Sequence, residues 1–406
     1  MTTAKSKRQN NFFSRNNRGP LGRLTSGFFS LPSVSPLEGF FLRLFFGLVV
    51  AYTLRFEVPF SAQPHPAGLA RFFDLTWLSD PWAYSVFRGA LYVLLMFYVG
   101  GLILPVALPL LALGHVLVFT LYNSQGYTHH GFQIVSLTLV AQAATVISYT
   151  ALKGLRLQPP DERLNAWLLW QSQVIVAGTY LISVFSKMIN TRGLWLWNSN
   201  YIAADLIKSR RQLYYGALDP KFDGNPAEAV WLLENPWIAR ALFGSGLTLE
   251  AIAFLALANR KIGFLIGVAL ILMHRSIARL MGLRFDNNEM LCAIYLVGLP
   301  FLAAWCLERI ANPAVRLGAL IGGGLGVPLS YFAQPASVQS AMAPALYLLH
   351  LIKSLGVWHD GNMPDFLRLT LPMWLTCLAT AVAGALAGRL FAAVRNGYQF
   401  SNRSDG

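Results

Sequence analysis

Charge is scarce in this chain. Asp, Glu, Lys and Arg together make up 12% of its 406 residues, about half the share of an ordinary soluble domain, which excludes a soluble protein with a conventional polar surface. Cysteine is scarcer still. Cys292, Cys306 and Cys377 all fall inside apolar runs, so neither a disulfide framework nor a thiolate metal site is indicated and the three read as packing residues. The seven histidines include no pair four residues apart with a nearby acid, so a zinc site has no support. No hydrophobic run begins before about position 38, which argues against a cleavable signal peptide. No unmistakable inverted repeat of the transporter kind is visible. Acidic residues are few, and the formal charge of +14 raises the question of nucleic acid. The basic residues, however, are scattered among apolar runs or clustered ahead of the first one (Lys5, Lys7, Arg8, Arg15, Arg18, Arg23). That pattern is a topology signal and not a nucleic-acid surface.

What is abundant is apolar sequence. Hydrophobic residues reach 55% and the mean hydropathy is +0.48, values that define a polytopic membrane protein. A helix crossing a hydrocarbon core of ~30 Å needs about 20 apolar residues. On that measure spans are expected near 38–56, 86–104, 106–122, 132–150, 165–188, 237–258, 262–283, 289–308, 314–332 and 366–388. The predicted architecture is an all-α bundle of roughly 8–10 transmembrane helices with an external amphipathic segment at 190–236. The block from Val86 to Tyr122 is too long for one span, and Gly100, Gly101 and Pro105 mark a hairpin within it. Gly-rich 314–332 is interrupted by Pro328. The apolar stretch 341–358 carries His350 and Lys353 and reads as interfacial or re-entrant. With the N-terminal cluster in the cytoplasm, Lys153, Arg156, Arg163, Arg260, Lys261, Arg309, Arg316, Arg389 and Arg395 fall on that side too, so both termini are expected to be cytoplasmic.

Ionisable residues within apolar helices are costly and therefore start as functional candidates. Lys187 sits where the 165–188 helix should leave the membrane, as a base or as a headgroup anchor. His129 and His130 sit at the start of the next earlier span; neighbours on a helix point about 100° apart, so only one of them can face a given pocket. Glu250 lies ~15 Å and His274 ~20 Å from the short Arg260–Lys261 turn, at 1.5 Å per residue. The expectation is that Glu250 faces His274 or Arg275, either to neutralise a charge or to orient a ligand or proton acceptor. Asp286, Asn287, Asn288 and Glu289 read as a solvated turn. Trp195 and the neighbouring aromatics read as an interfacial belt that a substrate would also meet.

A helix ending in a lysine, then Gly193-Leu194-Trp195 and an aromatic amphipathic segment, resembles the region of the catalytic lysine in vitamin K-dependent gamma-carboxylases and their bacterial relatives, the HTTM (horizontally transferred transmembrane) proteins. The histidine turn at 129–130 and the exit from His274 to Phe285 are similar in order and spacing, and the similarity extends over residues 38–310. Composition and charge give a flexible basic cytoplasmic tail (1–36), additional membrane helices (311–390) and a polar cytoplasmic tail (391–406), and the resemblance implies an HTTM-like membrane domain between the first two (37–310). It implies a multi-pass protein of a bacterial inner membrane in which Lys187 is the base that deprotonates a reduced quinone, such as a vitamin K hydroquinone. In this reading His129 or His130 is a second catalytic residue, and His274, Arg275, Glu250 and Trp195 contact substrate. The carboxylases carry a large lumenal domain beyond the membrane region, and here only apolar runs and a polar tail follow. Glutamate carboxylation is therefore not implied. Two alternatives stay open: a non-catalytic partner in maturation or export of a secreted peptide, and a transporter with a Glu250–His274–Arg275 relay.

Overall fold

Within a bilayer, backbone groups have no water to bind, so long apolar runs are forced into helices. The computed structural model describes residues 31–54, 68–123 and 130–401, apart from 156, 158, 219, 221, 222, 282 and 333–370. Among these, the regular elements are all helical. The α-helices of six or more residues are α1 (Pro36–Leu54), α2 (Pro81–Gly100), α3 (Leu104–Asn123), α4 (His130–Lys153), α5 (Glu162–Asn190), α6 (Ile202–Ala217), α7 (Ala227–Glu234), α8 (Pro236–Ile252), α9 (Arg260–Met281), α10 (Asp286–Leu291), α11 (Leu299–Glu308), α12 (Pro313–Phe332) and α13 (Leu371–Ser401). Among the described residues, eight helices are long and apolar enough to span a membrane, or nine if a bent pair is counted as one span.

The hairpin expected inside 86–122 is present. Asp80 caps the start of α2 by accepting from the Ala83 amide, Pro81 occupies the first turn, and Gly101 ends the helix in the left-handed region at φ 70°. That conformation is easy for glycine and costly for other residues. Pro105 falls in the first turn of α3, where a missing amide costs nothing.

Two expectations need correction. The predicted single span 289–308 is broken: α10 continues into a π-helical stretch, Cys292–Val297, Gly298 turns left-handed at φ 81°, and α11 leaves at 46°. A π turn frees backbone groups that an α-helix would pair, and Gln173 supplies one substitute by donating to the Tyr295 carbonyl at 2.8 Å. The predicted break at Pro328 does not occur; Pro313–Phe332 is one helix. The interfacial stretch 341–358 lies outside the described residues.

Successive helices alternate in direction. Arg43 near the start of α1 donates to the Val99 carbonyl near the end of α2, Phe119 and Phe132 stack where α3 turns into α4, and Tyr149 donates to Asp161 between α4 and α5. Arg260 opens α9 and donates to both carboxylate oxygens of Glu38, at 2.7 and 3.0 Å, back at the start of α1. Lys153, Arg163, Arg260 and Lys261 consequently gather at one end of the bundle, here called the basic end. The main core runs through α1–α5, α9 and the π stretch, with Phe46, Tyr98, Leu108, Leu139, Leu168 and Tyr295 at its centre. Its polar members satisfy one another: Tyr98 donates to Gln142, which donates to Ser172 and Tyr295, as buried polar groups must. At the other end, Ala203, Leu206, Ala229, Leu232 and Ala239 form a small second core that folds the amphipathic segment (α6, α7) onto α8. Helices α12 and α13 pack on each other through Gly318, Gly322, Gly326, Gly384 and Gly388, where an added Cβ would strike the facing backbone. This is the small-residue packing that membranes favour.

Candidate functional site

The site is built on α5. Asp161 caps its start by accepting from the Leu164 amide at 2.8 Å, which satisfies an otherwise orphan donor. The helix ends at Thr191, and the chain turns through Arg192 and Gly193, both at positive φ. Tyr180 and Lys187 are seven residues apart, nearly two full turns, and so lie on one face of α5. Lys187 turns toward α8. Its Nζ donates to Glu250 Oε2 on α8, and the Trp195 ring lies 5.4 Å from the ammonium, within cation–π range. Glu250 is buried, whereas 30% of the lysine side chain remains accessible.

One layer deeper, the Tyr180 hydroxyl lies 2.8 Å from His274 Nε2 on α9 and 3.2 Å from Cys292 Sγ on the π stretch. The imidazole stacks on Phe285 with centroids 4.8 Å apart. His274 is 4% exposed, and its Nδ1 has no hydrogen-bond partner among the described residues. Arg275 turns the other way and grips Glu289, with Nη2 at 2.6 Å and Nε at 2.8 Å from Oε2.

The expected pairing of Glu250 with His274 or Arg275 is therefore corrected. Adjacent residues on α9 point about 100° apart, so His274 meets α5 while Arg275 meets α10, and the buried carboxylate of Glu250 pairs with Lys187. The solvated turn read at 286–289 is corrected as well. Asn287 and Glu289 are buried, Glu289 at 1% exposure, and Asn287 donates to the Gly131 carbonyl in the first turn of α4. His130 is the first residue of α4, and His129 lies outside the described residues. Trp195 stands against Lys187 as described. Among the described residues, no cluster of three or more His, Cys, Asp or Glu side chains could hold a metal ion.

Several buried groups escaped the sequence reading. Arg43 donates to Asn165 Oδ1 at 2.8 Å, and His115 lies 2.9 Å from both Thr53 and Ser136. Both interrupt apolar runs, and the rule that flagged Glu250 would have flagged them. Tyr180 gave no such signal, because a tyrosine in an apolar run is an ordinary core residue.

The arrangement brings a carboxylate, an amine, a phenol, a thiol and an imidazole together between α5, α8, α9 and the π stretch. An amine–carboxylate pair can hold its shared proton on either member with no change in net charge, which suits it to proton exchange in a low-dielectric surrounding. Compared with protein-family models, with curated proteins and with solved structures, the chain finds no match.

Proposed function

We propose that this integral membrane protein is an enzyme that removes a proton from an apolar, lipid-borne hydroxyl compound of the hydroquinone class, with Lys187 as general base and Glu250 as the group that receives its proton. The observation that carries this reading is the Lys187–Glu250 ion pair at a helix end, where the lysine side chain stays partly accessible. A lysine amine that has given up its proton can accept one from a phenolic hydroxyl within hydrogen-bond reach, which is the general-base role. In the step, the Lys187 ammonium passes a proton to Glu250, and the free amine then takes the phenolic proton. An O–H bond breaks and an N–H bond forms. The substrate anion replaces the Glu250 carboxylate as the ammonium's counter-charge, and the net charge of the site is unchanged.

Kinship with HTTM proteins, a bacterial inner membrane and cytoplasmic termini belong to the same proposal. They rest on the order of sequence features and on the gathering of basic residues at one end. The test is dioxygen consumption by the reconstituted protein with a panel of reduced quinones, together with mass spectrometry of co-purified lipids. Quinol-dependent consumption and a bound quinone would support the reading, and the lack of both would end it. A second reading, a permease, is favoured by the broken span at Gly298, since discontinuous helices recur at transport sites. It predicts proton-coupled flux into proteoliposomes with no quinol turnover.

A further inference from the structure

A second site lies at the basic end, away from Lys187 and independent of the reading above. Where the span breaks at Gly298, α9, α5 and α11 do not close on one another, and a cavity of about 360 Å³ remains, within the range of small-molecule sites. Its walls include Leu42, Phe264, Leu265, Ile294, Val297 and Leu302, and its rim is Glu38, Arg260 and Lys261. The rim residues open α1 and α9, so the cavity mouth stands at the level where helices enter the headgroup region.

The charges at that mouth are unequal. Arg260 is committed: it donates to both Glu38 oxygens and to the Ser33 carbonyl at 2.6 Å, and it covers the Phe301 ring at 4.3 Å. Its charge is cancelled by Glu38. Lys261 is exposed, and among the described residues its ammonium makes no ion pair. The charged residues that line the cavity, Glu38, Arg260 and Lys261, therefore sum to one positive charge.

We propose that this cavity binds one anionic membrane phospholipid, with an acyl chain against Leu265, Ile294 and Leu302 and its phosphate at Lys261. The apolar walls suit a hydrocarbon chain, and the uncancelled cation selects a net negative headgroup over a zwitterionic one.

The experiment is native mass spectrometry of the full chain, delipidated in detergent and titrated with phosphatidylglycerol or phosphatidylcholine. The expected result is one phosphatidylglycerol retained per chain, with a preference over phosphatidylcholine of about fivefold, the factor that one basic residue near an anionic surface supplies. Lys261→Glu should abolish that preference and Lys261→Arg should keep it. Leu265→Trp, which sets an indole on the wall that the acyl chain would lie against, should weaken retention of both lipids. Thermal unfolding of each variant shows that it is folded. Equal retention of the two lipids by the unaltered chain would overturn the proposal. So would an unchanged preference in folded Lys261→Glu, or undiminished retention in folded Leu265→Trp, since the lipid would then be held outside the cavity.

Discussion

At the scale of single residues, the decisive question is what the Lys187 proton does. Arginine keeps the charge and still reaches Glu250, but its guanidinium stays protonated and cannot serve as a base near neutral pH. Lys187→Arg should therefore insert and fold while losing quinol turnover by roughly 10² or more, and Lys187→Met should lose turnover and stability together. Turnover persisting in folded Lys187→Arg would reduce the lysine to a structural partner of Glu250. The pair itself is tested by a double-mutant cycle. Glu250→Gln leaves an ammonium without its counter-charge. Partial exposure of Lys187 keeps the cost below the roughly 3 to 5 kcal/mol of a fully buried pair. Removing both charges should cost less than the sum of the single changes, and strict additivity of unfolding midpoints in detergent would show no coupling. Both residues were legible in the sequence as ionisable groups in apolar helices. Their partnership was not, because a depth count fixes how far along a helix a side chain lies and says nothing of the face it presents. That face is set by how α5, α8 and α9 pack, and it gave Glu250 to Lys187, Arg275 to Glu289 and His274 to Tyr180.

At the scale of elements, apolar run length located most spans to within a few residues, because the hydrocarbon thickness imposes that length. It missed the break at Gly298. Proline and glycine mark possible breaks, and the surroundings decide which are used: Pro328 stays inside α12, while Gly298 ends the π stretch. The packing around that stretch explains its form. Gly267 on α9 meets it so closely that an added Cβ would sit 2.8 Å from Leu296 Cβ and 2.9 Å from the Val297 amide nitrogen, whereas Gly178 on α5 has nothing within 4 Å. Gly267→Ala should destabilise by about 1 to 3 kcal/mol through overpacking. Gly178→Ala should be neutral or stabilise by up to about 1 kcal/mol through better helix propensity. Thermal unfolding in detergent compares the two, and equal effects would mean that α9 does not lie against the π stretch as described.

At the scale of the whole molecule, the alternation of helix directions ties every connecting segment to one of two sides. Cysteines introduced at Lys153 and Lys261, both exposed at the basic end, should respond alike to an impermeant reagent in sealed cells, and cysteines at Asn198 and Glu234 should respond in the opposite sense. Protection of the first pair would place the basic end in the cytoplasm, and disagreement within either pair would contradict the fold. One further consequence follows from unequal helix length. The 29 residues of α5 extend for ~43 Å, whereas the 20-residue helices α2 and α3 match a hydrocarbon core of ~30 Å. This mismatch is taken up by tilt or by protrusion, and Lys187 lies in the last turn of the longer helix. Bilayer thickness thus becomes a control on the site: a thick membrane draws lipid over the partly exposed Lys187 side chain and excludes water from it, and a thin one leaves it wet.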